Sequence, residues 1–229
     1  MKEKIYLLPG LMTDERLWQR LRPFLEEEYE LIHIPLPLTE DFEEAALKLE
    51  ELITDEKINL LGFSLGAYLA SYFTAKNPHR VNRLFLVAGS PAETKKDEIE
   101  RRTKTLEQMN NFGFKGLATK KILSLIEKSE DEELINIIKD MFLDLGHEVY
   151  NVQMRSSFNR RNFNEKLIAL SIPIRIFYST EDRLFSHSVL ENFKDEHQHI
   201  TKISREGTSH MLPLEFPEQL SFEIKEWMK

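Results

Sequence analysis

The 229-residue chain carries 41% hydrophobic and 31% charged residues, enough apolar material for one complete core with an inserted segment. Its 31 basic and 39 acidic side chains leave a net charge of −8, the wrong sign for a phosphate-backbone binder, so nucleic acid is not expected as a partner. With no cysteine, disulfides, thiolate metal sites and a Cys nucleophile are excluded, in keeping with a cytoplasmic location.

The first apolar burst, Ile5 to Leu8, is cut by Pro9 and Gly10 before it could serve as a signal peptide, and reads as a strand. No apolar run approaches the ~18 residues that cross a bilayer, so no membrane partner is expected. Further short bursts rich in Ile, Leu, Val and Phe follow at Leu31 to Ile34, Ile58 to Phe63, Leu84 to Ala88 and Ile174 to Tyr178, as strands buried on both faces tend to be. His199 to Ser204 alternates and suits an edge. Helical spacing covers Asp14 to Glu27, Asp41 to Ile53, Leu65 to Lys76, Val189 to Phe193 and Glu215 to Met228. Strand and helix alternating imply right-handed crossovers and an α/β fold: a mostly parallel central sheet with helices on both faces. Between Glu93 and Glu165 the strand signal stops, and charged amphipathic segments predict a helical lid over one end of a core made of residues 1–92 and 166–229. That insertion holds 13 basic and 14 acidic residues, so the acidity belongs to the core.

The stretch LLGFSLGAYLA sets a hydroxyl between two glycines inside an apolar run. If Ile58 to Phe63 is a strand and Leu65 opens a helix, Ser64 occupies the turn between them. Gly62 and Gly66 then let strand and helix pack closely around a strained turn that lifts the hydroxyl clear, the requirement of a nucleophile elbow. The helix start also aims the Leu65 N–H where an oxyanion would form.

A serine nucleophile needs a base. Among His33, His79, His147, His187, His197, His199 and His210, the last lies in EGTSHMLPLEFPEQL, a loop after the final strand, with Pro213 placed to start the final helix. His197 and His199 have no third ligand cluster beside them, so no metal is expected. Asp182, in STEDRLF directly after a buried strand, is placed to accept the second ring N–H of His210; Glu181 and Glu93 are the competing carboxylates.

With LPGLMTDERLW after the first strand, LLGFSLGAYLA, STEDRLF and SHMLPLEFPEQL, the chain resembles the α/β-hydrolase superfamily, in its compact, lidded, esterase- or thioesterase-like form, over nearly its whole length. The order Ser64, Asp182, His210 is that of the family. The resemblance implies a second oxyanion donor at the backbone N–H of Leu11. Pro9 stands where many relatives have His, Ser209 where many have Gly, and the first two antiparallel strands of larger relatives are not evident.

What the resemblance implies is a serine hydrolase acting on a small-molecule acyl substrate through an acyl-enzyme, with no cofactor. Met109, Phe112, Phe114, Met141, Phe142, Met154, Phe158 and Phe163 are candidates for an apolar acyl pocket, of which two or three should face it. Lys95, Lys96, Arg101, Arg102 and Lys104 would suit an acidic acyl carrier protein, although the interleaved Asp97, Glu98 and Glu100 fit a solvated helix face better. Two other readings stay open. One is a lyase or C–C bond hydrolase acting on a carboxylated metabolite, with Arg155 and Arg183 as candidate anchors; the other is a non-catalytic binding scaffold.

Overall fold

A computed structural model describes residues 2–194 and 196–229 of the protein. Its sheet has the order β2-β1-β3-β4-β5-β6, built from β1 (Glu3–Leu8), β2 (Tyr29–His33), β3 (Ile58–Phe63), β4 (Val81–Val87), β5 (Ile174–Ser179) and β6 (Ile200–Arg205). Every described pair is parallel. β6 is an edge strand, as its alternation predicts. Several strands begin earlier than their apolar bursts because backbone pairing continues to the exposed rim: Glu3 and Lys4 pair with Tyr29 and Glu30. In β3, by contrast, all six residues are buried, and sequence and structure agree on its limits.

The helices are α1 (Arg22–Leu25), α2 (Phe42–Leu52), α3 (Leu65–Lys76), α4 (Lys96–Phe112), α5 (Thr119–Leu123), α6 (Glu132–Ser156), α7 (Asn164–Ile168), α8 (Leu212–Glu215) and α9 (Pro217–Met228). α2 starts where Asp41 accepts from the Glu43 and Glu44 amides, a side-chain N-cap. α9 buries Leu220, Ile224, Trp227 and Met228, a stripe at helical spacing.

Three expected helices differ. Asp14 to Glu27 is a 3-10 turn at Glu15–Trp18 and the single turn α1, since Pro23 has no N–H to carry a longer ladder. Val189 to Phe193 is part of a 3-10 segment, His187–Asn192. The last helix starts at Pro217 rather than Pro213, which lies inside α8. Phe216 between them is extended to φ −130° and ψ 52°, because the residue before a proline is pushed out of the helical region.

One core cluster joins α2 and α3 to one face of the sheet through Phe42, Leu49, Tyr68 and Phe73. The other face packs on Leu17, Trp18, Leu25 and α9. The insertion contributes to this second cluster: Ile122, Leu125, Ile126, Leu134, Ile138 and Met141 are all buried in it. α6 then turns at Gly146, whose φ of 77° is left-handed. Beyond that bend, Tyr150 and Met154 join Leu106 and Phe142 around Met12 in a third cluster, above the sheet's C-terminal edge. No described helix is long and apolar enough to cross a membrane.

Candidate functional site

The chain runs β1 to β2 on one side of the sheet and β3 onward on the other, so the loops after β1 and β3 face each other at the reversal of strand order, where α/β sheets bind ligands. Ser64 sits in the second of these loops with φ 52° and ψ −111°, a strained conformation for a residue with a side chain. The turn is possible only because its flanks have no Cβ. A Cβ on Gly62 would lie 2.3 Å from the Gly66 carbonyl oxygen, and one on Gly66 would lie 2.2 Å from that of Pro9. Both elbow glycines of the sequence pattern are thus required by close approach.

His210 arrives from the loop between β6 and α8, and its Nε2 stands 3.0 Å from Ser64 Oγ. Its Nδ1 is 2.7 Å from Asp182 Oδ2. A carboxylate can only accept, so the proton belongs on Nδ1 and Nε2 is left to accept from the serine hydroxyl. Asp182 is 1% exposed and His210 5% exposed, which leaves little water to loosen the pair. Oδ1 of the same carboxylate accepts from the Leu184 amide at 2.9 Å, fixing its plane. Glu181 and Glu93, the rival carboxylates, are exposed. Phe63 backs the imidazole at 5.2 Å between ring centroids.

The histidine loop is secured from the insertion. Leu125 O accepts from the His210 amide at 2.9 Å, and Glu127 Oε1 accepts from the Thr208 and Ser209 amides at 2.6 and 2.8 Å. Arg205 pairs with Glu127 at 2.7 Å. Burial alone would raise the Glu127 pKa, but the bonds from Arg205 and the two amides outweigh it and hold the carboxyl below its ordinary range. Ser179 Oγ donates to Ser209 O at 2.6 Å. None of these supports has a local sequence signature: a carboxylate 82 positions from its amide is visible only after folding.

Leu11 follows Gly10, whose missing Cβ leaves room for the Phe63 ring, 2.8 Å from where that atom would be, and for the Ser64 Cβ at 3.1 Å. Among the described residues neither the Leu11 nor the Leu65 amide has a protein acceptor. Met12 next to it has φ 55°, and its N–H donates to Gln153 Oε1 at 2.8 Å. Thr13 closes the turn, accepting from the Gly10 amide at 2.7 Å. Gln153, 6% exposed on the second half of α6, was not marked by any sequence pattern.

Of the eight candidate pocket residues, Met109, Phe114, Phe142, Met154 and Phe158 pack together around Leu11 and Met12. Three do not. Phe112 is 77% exposed, Met141 is buried against the sheet cluster, and Phe163 packs on Tyr68 and Tyr72. A cavity of about 300 Å³ lies beside the Met12 cluster, sharing Leu106 and Phe158 with it and rimmed by Glu40, Thr103, Asn110 and Arg155. Phe158 alone among the eight candidates lines it, fewer than the two or three expected. A larger hollow of about 720 Å³ opens at the other end of the strands, around Lys4, Asp55 and Asn59, remote from Ser64. Arg155 and Arg183 are both exposed, and Arg155 stands 3.8 Å from Glu40. Arg101 and Arg102 pair with Asp97 and Glu98 on their own helix.

Comparison with known proteins bears on the fold and the family. The biotin biosynthesis bifunctional protein BioHC of Teredinibacter turnerae is 30% identical over 105 residues, a match spanning 41% of this chain and only 18% of that much longer protein. A thermophilic esterase from Thermogutta terrifontis, solved with malate bound, superposes with a TM-score of 0.84 at 23% identity, covering 100% of this chain and 90% of the other. MenH from S. aureus superposes with a TM-score of 0.76 at 15% identity, covering 99% and 93%. At such identities these structures speak for the fold. The profile described as the alpha/beta hydrolase fold matches residues 7–130, more than half of the chain, and the protein belongs to that family.

Proposed function

We propose that the protein is a serine hydrolase that cleaves a carboxylic ester or thioester of a small acyl substrate. The observation that carries this reading is the continuous chain of hydrogen bonds from the strained Ser64 through His210 to the buried Asp182. In this mechanism His210 Nε2 takes the Ser64 proton as Oγ attacks the carbonyl carbon. The Leu11 and Leu65 amides receive the developing oxyanion, and Asp182 stabilises the imidazolium. The imidazolium then protonates the departing alcohol or thiol. Water attacks the acyl-enzyme by the same route and returns the serine. The chemistry requires no cofactor.

The insertion acts in this reading as a lid of two parts. Thr103 to Asn110 and Arg155 to Asn159 border the cavity, while the segment from Ile122 to Met141 anchors in the core. Ester chemistry is favoured over a carboxylated substrate because, of the two guanidiniums expected as anchors, Arg183 is exposed and does not line the cavity, and Arg155 on the cavity rim already faces the Glu40 carboxylate at 3.8 Å.

The test is labelling of wild type and Ser64→Ala with a fluorophosphonate, followed by turnover of p-nitrophenyl esters and acyl-CoA thioesters of increasing chain length. Wild-type labelling and turnover that Ser64→Ala abolishes are the expected results. Labelling without any ester or thioester turnover would instead favour the lyase or C–C hydrolase chemistry on the same nucleophile. Folded wild type that does not label would remove the enzyme assignment.

A further inference from the structure

We infer that Gln153 is a positioning residue for the oxyanion hole, and that through it the lid, not the core alone, sets the geometry in which Leu11 can receive negative charge. The inference rests on the hydrolase reading above and names the part of that site that the lid controls.

Three observations converge on Gln153. Its Oε1 accepts from the Met12 amide at 2.8 Å, across 141 residues of sequence. Met12 has φ 55°, a strained conformation for a side-chain-bearing residue that persists only where surroundings impose it. The third observation is burial: Gln153 is 6% exposed and Met12 2%, so the bond has no water to replace it.

Consider what the peptide geometry then dictates. The Leu11 and Met12 amides lie in consecutive peptide planes joined at Leu11 Cα, so once Gln153 fixes the Leu11–Met12 plane, only the φ and ψ of Leu11 are left to set where the Leu11 N–H aims. Gly10 and Thr13 hold the two ends of the turn through a reciprocal pair of bonds: the Gly10 amide to Thr13 Oγ1, and the Thr13 amide and hydroxyl to Gly10 O. The middle of the turn is held by Gln153 alone among the described hydrogen-bond partners of Leu11 and Met12. Removing that acceptor leaves a buried N–H unpaired, which favours rotation of the peptide toward another partner and takes the Leu11 N–H with it.

The bond also runs from lid to core. Gln153 lies after the Gly146 bend, in the part of α6 that borders the Met12 cluster. A lid displaced from the core would therefore break the oxyanion loop's support at the same moment as it opened the site. Charge stabilisation is complete only when the lid is seated, so the nucleophile is least effective when water has freest access.

The experiment compares wild type with Gln153→Leu, which removes the acceptor at similar volume, Gln153→Asn, which keeps an amide but withdraws it by one methylene, and Gln153→Glu, which keeps an oxygen within reach. The readouts are the second-order rate of fluorophosphonate labelling, kcat and KM on p-nitrophenyl butyrate, and the thermal midpoint. A misaimed oxyanion donor costs roughly tenfold to a thousandfold in rate. The expected result is that Gln153→Leu and Gln153→Asn slow labelling and kcat by roughly tenfold or more with KM little changed, while Gln153→Glu, which keeps the Met12 bond but sets a carboxylate near the developing oxyanion, recovers the thermal midpoint and not the rate. If Gln153→Leu does not fold, Gln153→Asn against wild type decides. Equal labelling rates in folded wild type and variants overturn the inference and leave the hydrolase reading intact. So does a loss confined to KM or to stability. Absence of Ser64-dependent labelling in wild type overturns both together.

Discussion

Ser64, His210 and Asp182 differ in what their loss should do. In the proposed mechanism Ser64→Ala and His210→Ala each remove a group that handles the reacting atoms, and kcat should fall by about 10⁶, whereas Asp182→Asn, which keeps the shape but no longer fixes the tautomer, should cost about 10⁴. Steady-state rates of the three variants on one p-nitrophenyl ester, beside their fluorophosphonate labelling, check that order. Gly66 is a different kind of residue, needed for space. Its absent Cβ would lie 2.2 Å from Pro9 O and 2.5 Å from Leu8 O, both backbone atoms that cannot swing away. Gly66→Ala should therefore destabilise the fold by about 3 kcal/mol, read as a lowered denaturant midpoint, and should slow labelling in what remains folded. These positions were legible in the sequence because the chemistry narrows the choice: one serine between two glycines, one histidine after the last strand, one aspartate after the strand before it. Gln153 and Glu127 were not legible. An amide on an amphipathic helix and a glutamate in a charged segment look like surface residues until folding sets them against amides 141 and 82 positions away.

Among the elements, the segment between α5 and α6 has the most to do. It supplies the Leu125 carbonyl to the His210 amide and the Glu127 carboxylate to the two amides before it, and it is tied to α8 by the buried Glu215, whose Oε1 accepts from the Glu127 amide at 2.6 Å and from that of Lys128. Glu127→Ala would leave Arg205 and two amides without their partner. Stability should drop by about 2 kcal/mol and kcat by about tenfold through the loosened histidine, measured by urea unfolding and ester turnover. The sign with pH follows from the depressed Glu127 pKa: its contribution is present above the ordinary carboxyl value of 4.5 and is lost as pH falls through the lower folded value. A similar pin holds the start of α6, where the Arg20 side-chain bond brings the Asp131 carboxyl down to about 2. Sequence periodicity located α2, α3 and the strands because their apolar residues repeat at a single period. It overran at Asp14 to Glu27, where Leu17, Trp18, Leu21 and Leu25 are all buried but Pro23 breaks the helix they imply. It also gave no hint that Ile122 to Met141 pack into the core cluster on one face of the sheet, since a helix buried against a core and one buried against a pocket show the same stripe.

At the scale of the whole molecule, the pH range of stability has a term on the acid side of neutrality. Trp18 donates its indole N–H to His33 Nδ1 at 3.1 Å, and burial lowers the His33 pKa from 6.5. Below pH 6.5 the unfolded chain binds a proton that the folded chain resists, so stability is complete above that value and declines as pH falls toward and past the folded one. Melting midpoints taken between about pH 7.5 and 5.5 should show the decline, and His33→Asn, which keeps an acceptor for the indole but cannot be protonated, should reduce the slope. Fold class and strand sequence were both readable at this scale, because alternation of buried strands with amphipathic helices leaves few alternatives to a parallel α/β sheet. The bond between Leu125 and His210 has one more consequence, for engineering. Caps are attractive parts to exchange between relatives, and joints near residues 93 and 165 would look natural for such a graft. A chimaera cut there would discard the carbonyl on which the histidine backbone hangs. A graft that keeps Ile122 to Met141 from this chain and borrows only what flanks it should retain a working base while acquiring the donor's choice of substrate.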